Sequence, residues 1–157
     1  MRLWHYRLIK VLPEAQIRGQ WRECCCIAKS IKEKGTPNHI LVNKVMNYDI
    51  KHFEHYTFLV VQEMKKRGYK INESCFTKYY PLINKVEFKA LNENLFDGWH
   101  NGKYFIQCYY NLQEKYDCGG ISQEEWDEIV RLICFYNIKN EPIPKIQHLK
   151  IGNNHNE

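Results

Sequence analysis

One acidic residue stands out in the basic first part of the chain. Glu23 directly follows Arg22 in a segment with helical apolar spacing, and Arg18 precedes the pair by one turn. A carboxylate on a phosphate-binding surface repels the ligand, so it is more readily retained where it moves a proton or stabilises a developing cation. The alternative is a surface ion pair of little energetic value. The pair therefore predicts either a catalytic carboxylate among arginines or a solvated helix face.

The positive charge of the chain is concentrated near its start. Among 157 residues, 23 are Lys or Arg and 18 are Asp or Glu, which gives a net charge of +5. Residues 1–34 hold eight of the bases and three of the acids, so the other 123 residues hold 15 of each. This asymmetry is typical of proteins that bind a polyanion, most often nucleic acid or an anionic membrane, although a basic surface kept for solubility has the same composition.

Several classes of protein are disfavoured by what the sequence lacks. No run approaches the roughly 18 apolar residues of a membrane span, and charges break the N-terminus where a signal peptide has its apolar core. We therefore expect a cytoplasmic protein that does not enter a membrane. The seven cysteines are odd in number and three are consecutive, which favours free thiols. Without metal-ligand spacing or a glycine-rich phosphate loop, no metal or organic cofactor is expected.

The elements that must position these residues are predicted to be helices. The clearest runs from about Pro13 to Lys34, ends at Gly35 and carries Trp21 on its apolar face. Thr36 is predicted to cap a short helix that extends to about Asn47 and buries Leu41 and Val45, with Val42 as a further candidate for burial. Further helices are predicted over about 50–67 between Asp49 and Gly68, near 82–95, around 105–116, and after a capping box formed by Ser122 and Glu125.

These patterns predict an all-α fold with a single compact domain of about five or six helices. We expect this domain to span residues 1–139. The remaining residues, 140–157, contain two prolines and a polar end, which predicts a poorly ordered tail.

Three short motifs occur in order in the first half of the chain. It starts with Met1-Arg2, residues 21–23 read aromatic-Arg-Glu, and Glu63–Tyr69 read Glu-x-x-Lys-Arg-Gly-aromatic. In order and spacing they resemble the pyrimidine-dimer DNA glycosylase / AP lyase family, whose best-known member is a small all-helical phage enzyme. The resemblance to that enzyme covers about residues 1–70, and the whole chain is more similar to a bacterial and phage branch of the family.

The resemblance implies a monomeric DNA repair enzyme that acts on damaged double-stranded DNA, by family default at a pyrimidine dimer. In the family, the α-amine of the first residue attacks C1′ of the damaged nucleotide, a Schiff base forms, the base leaves and β-elimination cuts the strand. Arginines hold phosphates around a kinked duplex with a flipped nucleotide. Here Met1 is the expected nucleophile, because Arg2 is too large for ordinary removal of the initiator, and Glu23 assists at the sugar. The expected DNA-binding residues are Arg2, Arg18, Arg22 and His39.

The sequence departs from the phage pattern at two points and leaves alternatives open. The phage enzyme exposes a threonine amine, and a cysteine at or near Cys26 stands where it has a second helix arginine. Arg18 fits a solvated helix face as well as a phosphate contact, and His39 fits a cap or surface histidine. The alternative functions are a non-catalytic binder of distorted DNA and a helical protein-interaction module.

Overall fold

The computed structural model describes residues 1–83 and 95–138, and within these ranges the chain forms helices and turns but no strand. The all-α single domain predicted from the sequence is confirmed. The predicted tail over 140–157 and most of the predicted helix near 82–95 lie outside the described residues. The elements are the 3₁₀ helices η1 (Tyr6–Val11) and η2 (Asn43–Asn47) and the α-helices α1 (Glu14–Lys34), α2 (Ile50–Lys66), α3 (Ser74–Thr77), α4 (Gly102–Asp117) and α5 (Gln123–Ile138).

The core forms where α1 packs against α2 and α3, while η1 packs against α2 and α5 and α4 packs against α5. Trp21 lies on the buried face of α1, as its spacing predicts, and Tyr56 is fully buried on the facing side of α2. Burial of a large apolar side chain contributes about 1.5–3 kcal/mol, so this interface carries much of the fold. In the described part of the chain, no helix is long and apolar enough to cross a bilayer.

Local capping residues set the helix ends that the sequence predicts. Asp49 Oδ1 accepts the backbone N–H of Lys51 at 2.9 Å at the start of α2. Gly68 ends that helix at φ = 75°, a left-handed conformation that is strained for any other residue type. In the capping box before α5, Ser122 N–H donates to Glu125 Oε2 at 3.1 Å. The other oxygen of Glu125 accepts from Glu14 N–H at 2.8 Å, so one carboxylate caps both α5 and α1.

The segment between α1 and α2 differs from the prediction. Asn38 takes a left-handed backbone conformation with φ = 54°, and its N–H bonds to Thr36 Oγ1 at 3.2 Å, which closes a turn instead of starting a helix. Regular helix is confined to η2. Val45 and Val42 are buried, but Leu41, which was predicted to point inward, is 49% exposed.

The residues before α1, which carry no clear helical pattern, lie deep in the fold. Leu3, Leu8 and Leu12 are buried in the same core as α1 and α2. Arg67, at the end of α2, donates to Leu12 O at 2.6 Å and to Lys10 O at 3.1 Å. We call residues 1–12 the N-terminal segment. Its two ends are held by contacts with other elements.

All seven cysteines are unpaired in the structure, as predicted. The consecutive cysteines of α1 point in different directions: Cys24 is buried, Cys25 is half-buried and Cys26 is exposed. Burial raises the pKa of both the Cys24 and the Cys25 thiol to about 12. These two thiols therefore remain protonated and pack as small apolar groups.

Candidate active site

The carboxylate of Glu23 lies beside the start of the chain. Its Oε2 accepts the backbone N–H of Arg2 at 2.7 Å, across 21 positions of sequence. Its Oε1 is 3.9 Å from the terminal nitrogen of Met1. The Met1 and Glu23 side chains are 26% and 32% exposed, so both groups can be reached from solvent. The fold thus brings an α-amine and a carboxylate together at the surface.

Three side chains fix the backbone directly after the amine. Trp4 N–H donates to Gln20 Oε1 at 3.0 Å, the Tyr104 hydroxyl donates to Leu3 O at 2.6 Å, and the Tyr56 hydroxyl donates to Trp4 O at 2.8 Å. Burial raises the pKa of both phenols, so they stay protonated as donors. Because buried peptide groups are costly to leave unbonded, these contacts hold the N-terminal segment in one register.

Two buried histidines hold the next residues of the segment. His5 Nε2 donates to His100 O at 2.7 Å, and His5 Nδ1 accepts the backbone N–H of Arg7 at 3.2 Å. His100 Nδ1 accepts the N–H of Tyr6 at 3.2 Å. Each Nδ1 is an acceptor, which assigns both rings to the neutral Nε2–H tautomer. Burial lowers the pKa of His5 to about 4 and that of His100 well below its usual range, in agreement with neutral rings.

A groove of about 370 Å³ opens beside Arg2, and we call it the Arg2 groove. The Arg2 guanidinium donates to Asn111 Oδ1 at 3.3 Å and lies 5.3 Å from the centroid of the Trp4 ring. Among the described residues that line the groove there are cations, aromatic rings and amides but no carboxylate. They are Arg2, Lys44, Trp99, Tyr104, Gln107, Asn111, Ile40 and Leu41. Such a surface suits an anionic ligand with a flat ring.

The structure brings Met1, Arg2 and Glu23 together, but it separates Arg18 from them in its contacts. The Arg18 guanidinium pairs with Glu14 Oε1 at 2.8 Å and stacks 4.1 Å from the centroid of the Tyr69 ring. Arg18 is therefore part of an intramolecular ion pair on the exposed face of α1.

The other two predicted DNA contacts lie at the surface in different settings. Arg22 is exposed on α1. His39 is partly buried, and its Nδ1 accepts the backbone N–H of Leu41 at 3.3 Å, so the ring caps the turn before η2. The roles of Arg22 and His39 in DNA binding stay predictions.

A second, larger cavity of about 620 Å³ lies between η1, α2 and α5. Its lining includes Tyr6, Arg7, His55, Leu59 and Tyr136, and it is mostly apolar. We call it the Tyr136 cavity. Met1, Arg2 and Glu23 are not among the residues that line it.

The two histidines of α2, His52 and His55, are three positions apart on one helix. His52 Nδ1 accepts the backbone N–H of Phe96 at 3.1 Å, so this ring serves the packing of the fold. Across residues 1–83 and 95–138, no group of three or more His, Cys, Asp or Glu side chains is placed to hold a metal ion.

Sequence reasoning missed the residues that support the site. Gln20 had a signal, since it lies three residues before Glu23 and so on the same side of α1. Tyr104, Asn111 and His100 had none, because their contacts with the N-terminal segment span about 100 residues of sequence.

Comparison with known proteins gives one match. Residues 1–77 match the family model of pyrimidine dimer DNA glycosylases. The match supports the family that the sequence motifs resemble, and at the level of the family it supports DNA repair by a glycosylase. The matched part contains Met1, Arg2 and Glu23 together with α1 and α2. Neither the search of curated proteins nor the search of solved structures returned a match.

Proposed function

We propose that this chain, which matches the pyrimidine dimer DNA glycosylase family over residues 1–77, excises a damaged base from duplex DNA and then cuts the abasic site. The α-amine of Met1 is the nucleophile and Glu23 is the carboxylate that acts at the sugar. The lesion proposed first is a pyrimidine dimer.

The observation that carries the proposal is the geometry of the chain start. The Met1 nitrogen lies 3.9 Å from Glu23 Oε1, while Oε2 is held by the Arg2 N–H at 2.7 Å. One sugar placed against this pair is within reach of both the amine and the carboxylate. Because these groups are already held in fixed positions, the entropy cost of bringing them together during the reaction is lower.

The chemistry suits an α-amine better than a lysine. The reference pKa of an α-amino group is about 7.7–8.0, against about 10.4 for lysine, so a useful fraction is neutral and nucleophilic near pH 7. Attack on C1′ forms a C–N bond and breaks the glycosidic bond, and the base leaves with a proton. Opening of the sugar ring gives an imine. Removal of a C2′ proton then expels the 3′ phosphate by β-elimination.

Glu23 is suited to two parts of this sequence. As a carboxylate it stabilises the positive charge that develops on the sugar when the base departs. It is also placed to accept a proton from the attacking amine. Its hydrogen bond with Arg2 keeps one oxygen oriented and leaves the other facing the Met1 nitrogen.

The DNA is proposed to lie across the Arg2 groove. Arg2 and Arg22 contact phosphates, and His39 contacts the backbone from the neighbouring turn. Arg18 keeps N–H groups for a phosphate, because a guanidinium has five donors and only its Nε–H is bonded to Glu14. Tyr104, which is partly buried, gives the groove a flat ring against which an extruded base stacks.

The direct test is strand cleavage on three matched duplexes: one with a single cis-syn pyrimidine dimer, one with a preformed abasic site, and one without damage. We expect nicks in the first two and none in the third. Cleavage of the abasic duplex alone would support the proposed lyase activity and contradict the pyrimidine dimer as a substrate. Tight binding to the damaged duplexes without any cleavage would indicate the non-catalytic binder instead.

The proposal also requires that Met1 carry a free amine in the cell. Intact-protein mass spectrometry of the natively expressed protein measures this. An unmodified mass beginning at Met1 is expected, and a blocked or trimmed terminus would contradict Met1 as the nucleophile.

A further inference from the structure

The turn between α1 and α2 exposes apolar side chains next to the candidate site. Ile40 is 84% exposed and Leu41 is 49% exposed. The neighbouring Val42 and Val45 are buried, so the turn has its own anchors in the core without these two side chains. Exposed Ile and Leu side by side at the tip of a turn contribute little to folding, so both side chains are available to a binding partner.

The turn that carries them is held by its own hydrogen bonds. His39 O accepts the N–H groups of Val42 at 3.0 Å and of Asn43 at 2.9 Å. In return, His39 N–H donates to Asn43 Oδ1 at 2.9 Å, and Leu41 N–H donates to His39 Nδ1 at 3.3 Å. Ile40 is therefore presented by an ordered turn, which lowers the entropy cost of placing it in a partner.

The position of the turn relates it to the proposed reaction. Ile40, Leu41 and Lys44 line the Arg2 groove, and the backbone N–H of Arg2 is bonded to Glu23. The exposed apolar tip thus shares the groove with two cations, Lys44 and Arg2, and the backbone of Arg2 is bonded to the carboxylate proposed to act on the sugar.

We propose that Ile40 and Leu41 form an apolar wedge that inserts into the base stack of duplex DNA beside the extruded nucleotide. The inference rests on the proposed function, because the wedge fills the gap that extrusion leaves. Apolar side chains inserted between base steps offset the lost stacking and hold the duplex kinked. Lys44 and Arg2 contact the phosphates on either side of the inserted pair.

Charge favours DNA over a protein partner at this surface. Arg2 and Lys44 line the same groove as the two apolar side chains, and no carboxylate is found among the described residues that line it. A duplex offers phosphates to both cations and an apolar stack to the wedge, so it complements every feature of the turn.

The experiment compares the wild type with Ile40→Ala/Leu41→Ala. Phe135→Ala is the matched control, because Phe135 is equally exposed, at 48%, on α5. Ile40→Met is the conservative variant, since methionine also serves as a wedge. The probe is a duplex with a tetrahydrofuran abasic analogue next to 2-aminopurine, whose fluorescence rises when it unstacks. Because the analogue cannot be cleaved, this readout is independent of catalysis.

At saturating wild-type protein we expect a rise in 2-aminopurine fluorescence, which Phe135→Ala and Ile40→Met retain and the double alanine variant loses. The affinity of the double variant for the analogue duplex is expected to fall about tenfold. An unchanged rise in the double variant would overturn the wedge. So would a concentration-dependent dimer, seen by sedimentation, that the double variant abolishes while its DNA affinity is unchanged.

Cleavage of a natural abasic duplex, measured in parallel, separates the two proposals. Cleavage by the wild type with no fluorescence difference between the variants retains the proposed function and overturns the wedge. A fluorescence rise that depends on Ile40 and Leu41, without cleavage by any protein, supports the wedge and contradicts the lyase.

Discussion

The N-terminal segment borders two cavities that differ in size and in chemistry. The Tyr136 cavity, at about 620 Å³, is larger and mostly apolar, whereas the Arg2 groove, at about 370 Å³, is lined by cations, aromatic rings and amides. Both have basic residues nearby, since Arg7 and Lys10 lie on the first and Arg2 and Lys44 on the second. Among the described residues, the second adjoins, through Arg2, the Met1 amine and the Glu23 carboxylate, which are 3.9 Å apart.

The difference shows why size alone does not identify a site. A large apolar cavity is a common default for ligand binding, but a reaction requires convergent groups that can exchange protons and stabilise charge. Residues of the N-terminal segment line both cavities. Positions only a few residues apart on one backbone therefore belong either to the Tyr136 cavity or to the candidate active site. Each experiment below acts on one side of this comparison.

The largest effect is expected from Glu23→Gln. The amide oxygen still accepts the Arg2 N–H, so the N-terminal segment stays in place, but the negative charge beside the Met1 nitrogen is lost. Loss of an acid–base or charge-stabilising group typically lowers rates about 10²–10⁴-fold. We expect single-turnover cleavage to fall by at least about 100-fold while affinity for damaged duplex is kept or improved.

Glu14→Gln is the matched control for this substitution. Glu14 is also on α1, but it pairs with Arg18 at an exposed position, where an ion pair contributes little. Its cleavage rate should stay near that of the wild type. Equal rates for Glu23→Gln and the wild type would remove Glu23 from the mechanism.

The second-largest effect is expected when the pH is lowered, because buried neutral histidines hold the N-terminal segment. Burial lowers the pKa of His5 to about 4, against an ordinary value of 6.5. Between these values the unfolded chain binds a proton that the folded chain does not, so stability falls as the pH falls from about 6.5 to 4. For His5 alone the loss is about 3 kcal/mol, and His100 adds to it in the same direction.

Urea unfolding at a series of pH values measures this loss. We expect the free energy of unfolding to be flat above about pH 7 and to decrease below it. His5→Asn should decrease less steeply over the same range. A wild-type profile that is constant from pH 7 to pH 4.5 would mean that neutral histidines do not hold the segment.

The smallest effect is expected in the salt dependence of DNA binding, when arginines at the two cavities are replaced in turn. Each phosphate contact contributes about 0.9 to the slope of log K against log salt concentration for duplex DNA. Arg2→Ala and Arg22→Ala should each reduce the slope by about one, whereas Arg7→Ala, at the Tyr136 cavity, should leave it unchanged. Fluorescence anisotropy over a series of salt concentrations gives the slopes. A reduction for Arg7→Ala equal to that for Arg2→Ala would place DNA on both sides of the segment.

The parts of the fold set by neighbouring residues could be predicted from the sequence. The bounds of α1, the Asp49 cap, the Gly68 stop and the capping box of Ser122 depend on side chains within one helical turn of the position they fix. The turn at Asn38 could not be predicted from the sequence, because no residue close to it excludes the predicted helix. After this left-handed residue, Leu41, which was predicted to be buried, is 49% exposed.

The candidate site also contains residues that could be predicted from the sequence and residues that could not. Arg22 and Glu23 attract notice because they are adjacent, and Met1 and Arg2 followed from the family resemblance. The buried path of the N-terminal segment could not be predicted, since it depends on Gln20, Tyr56, Tyr104 and His100, which come from three separate parts of the chain. Arg18 was predicted to be either a phosphate contact or part of a solvated helix face, and it pairs with Glu14, an acid one turn earlier on the same helix.

Borohydride trapping on an abasic duplex, followed by peptide mapping, tests the central claim most directly. The reductant converts an imine between protein and sugar into a stable bond, and mass spectrometry of the digested adduct locates it. We predict a single adduct on the N-terminal peptide at Met1, which is lost when the amine is acetylated beforehand. An adduct on a lysine, or one that forms equally well on the acetylated protein, would contradict the α-amine of Met1 as the nucleophile.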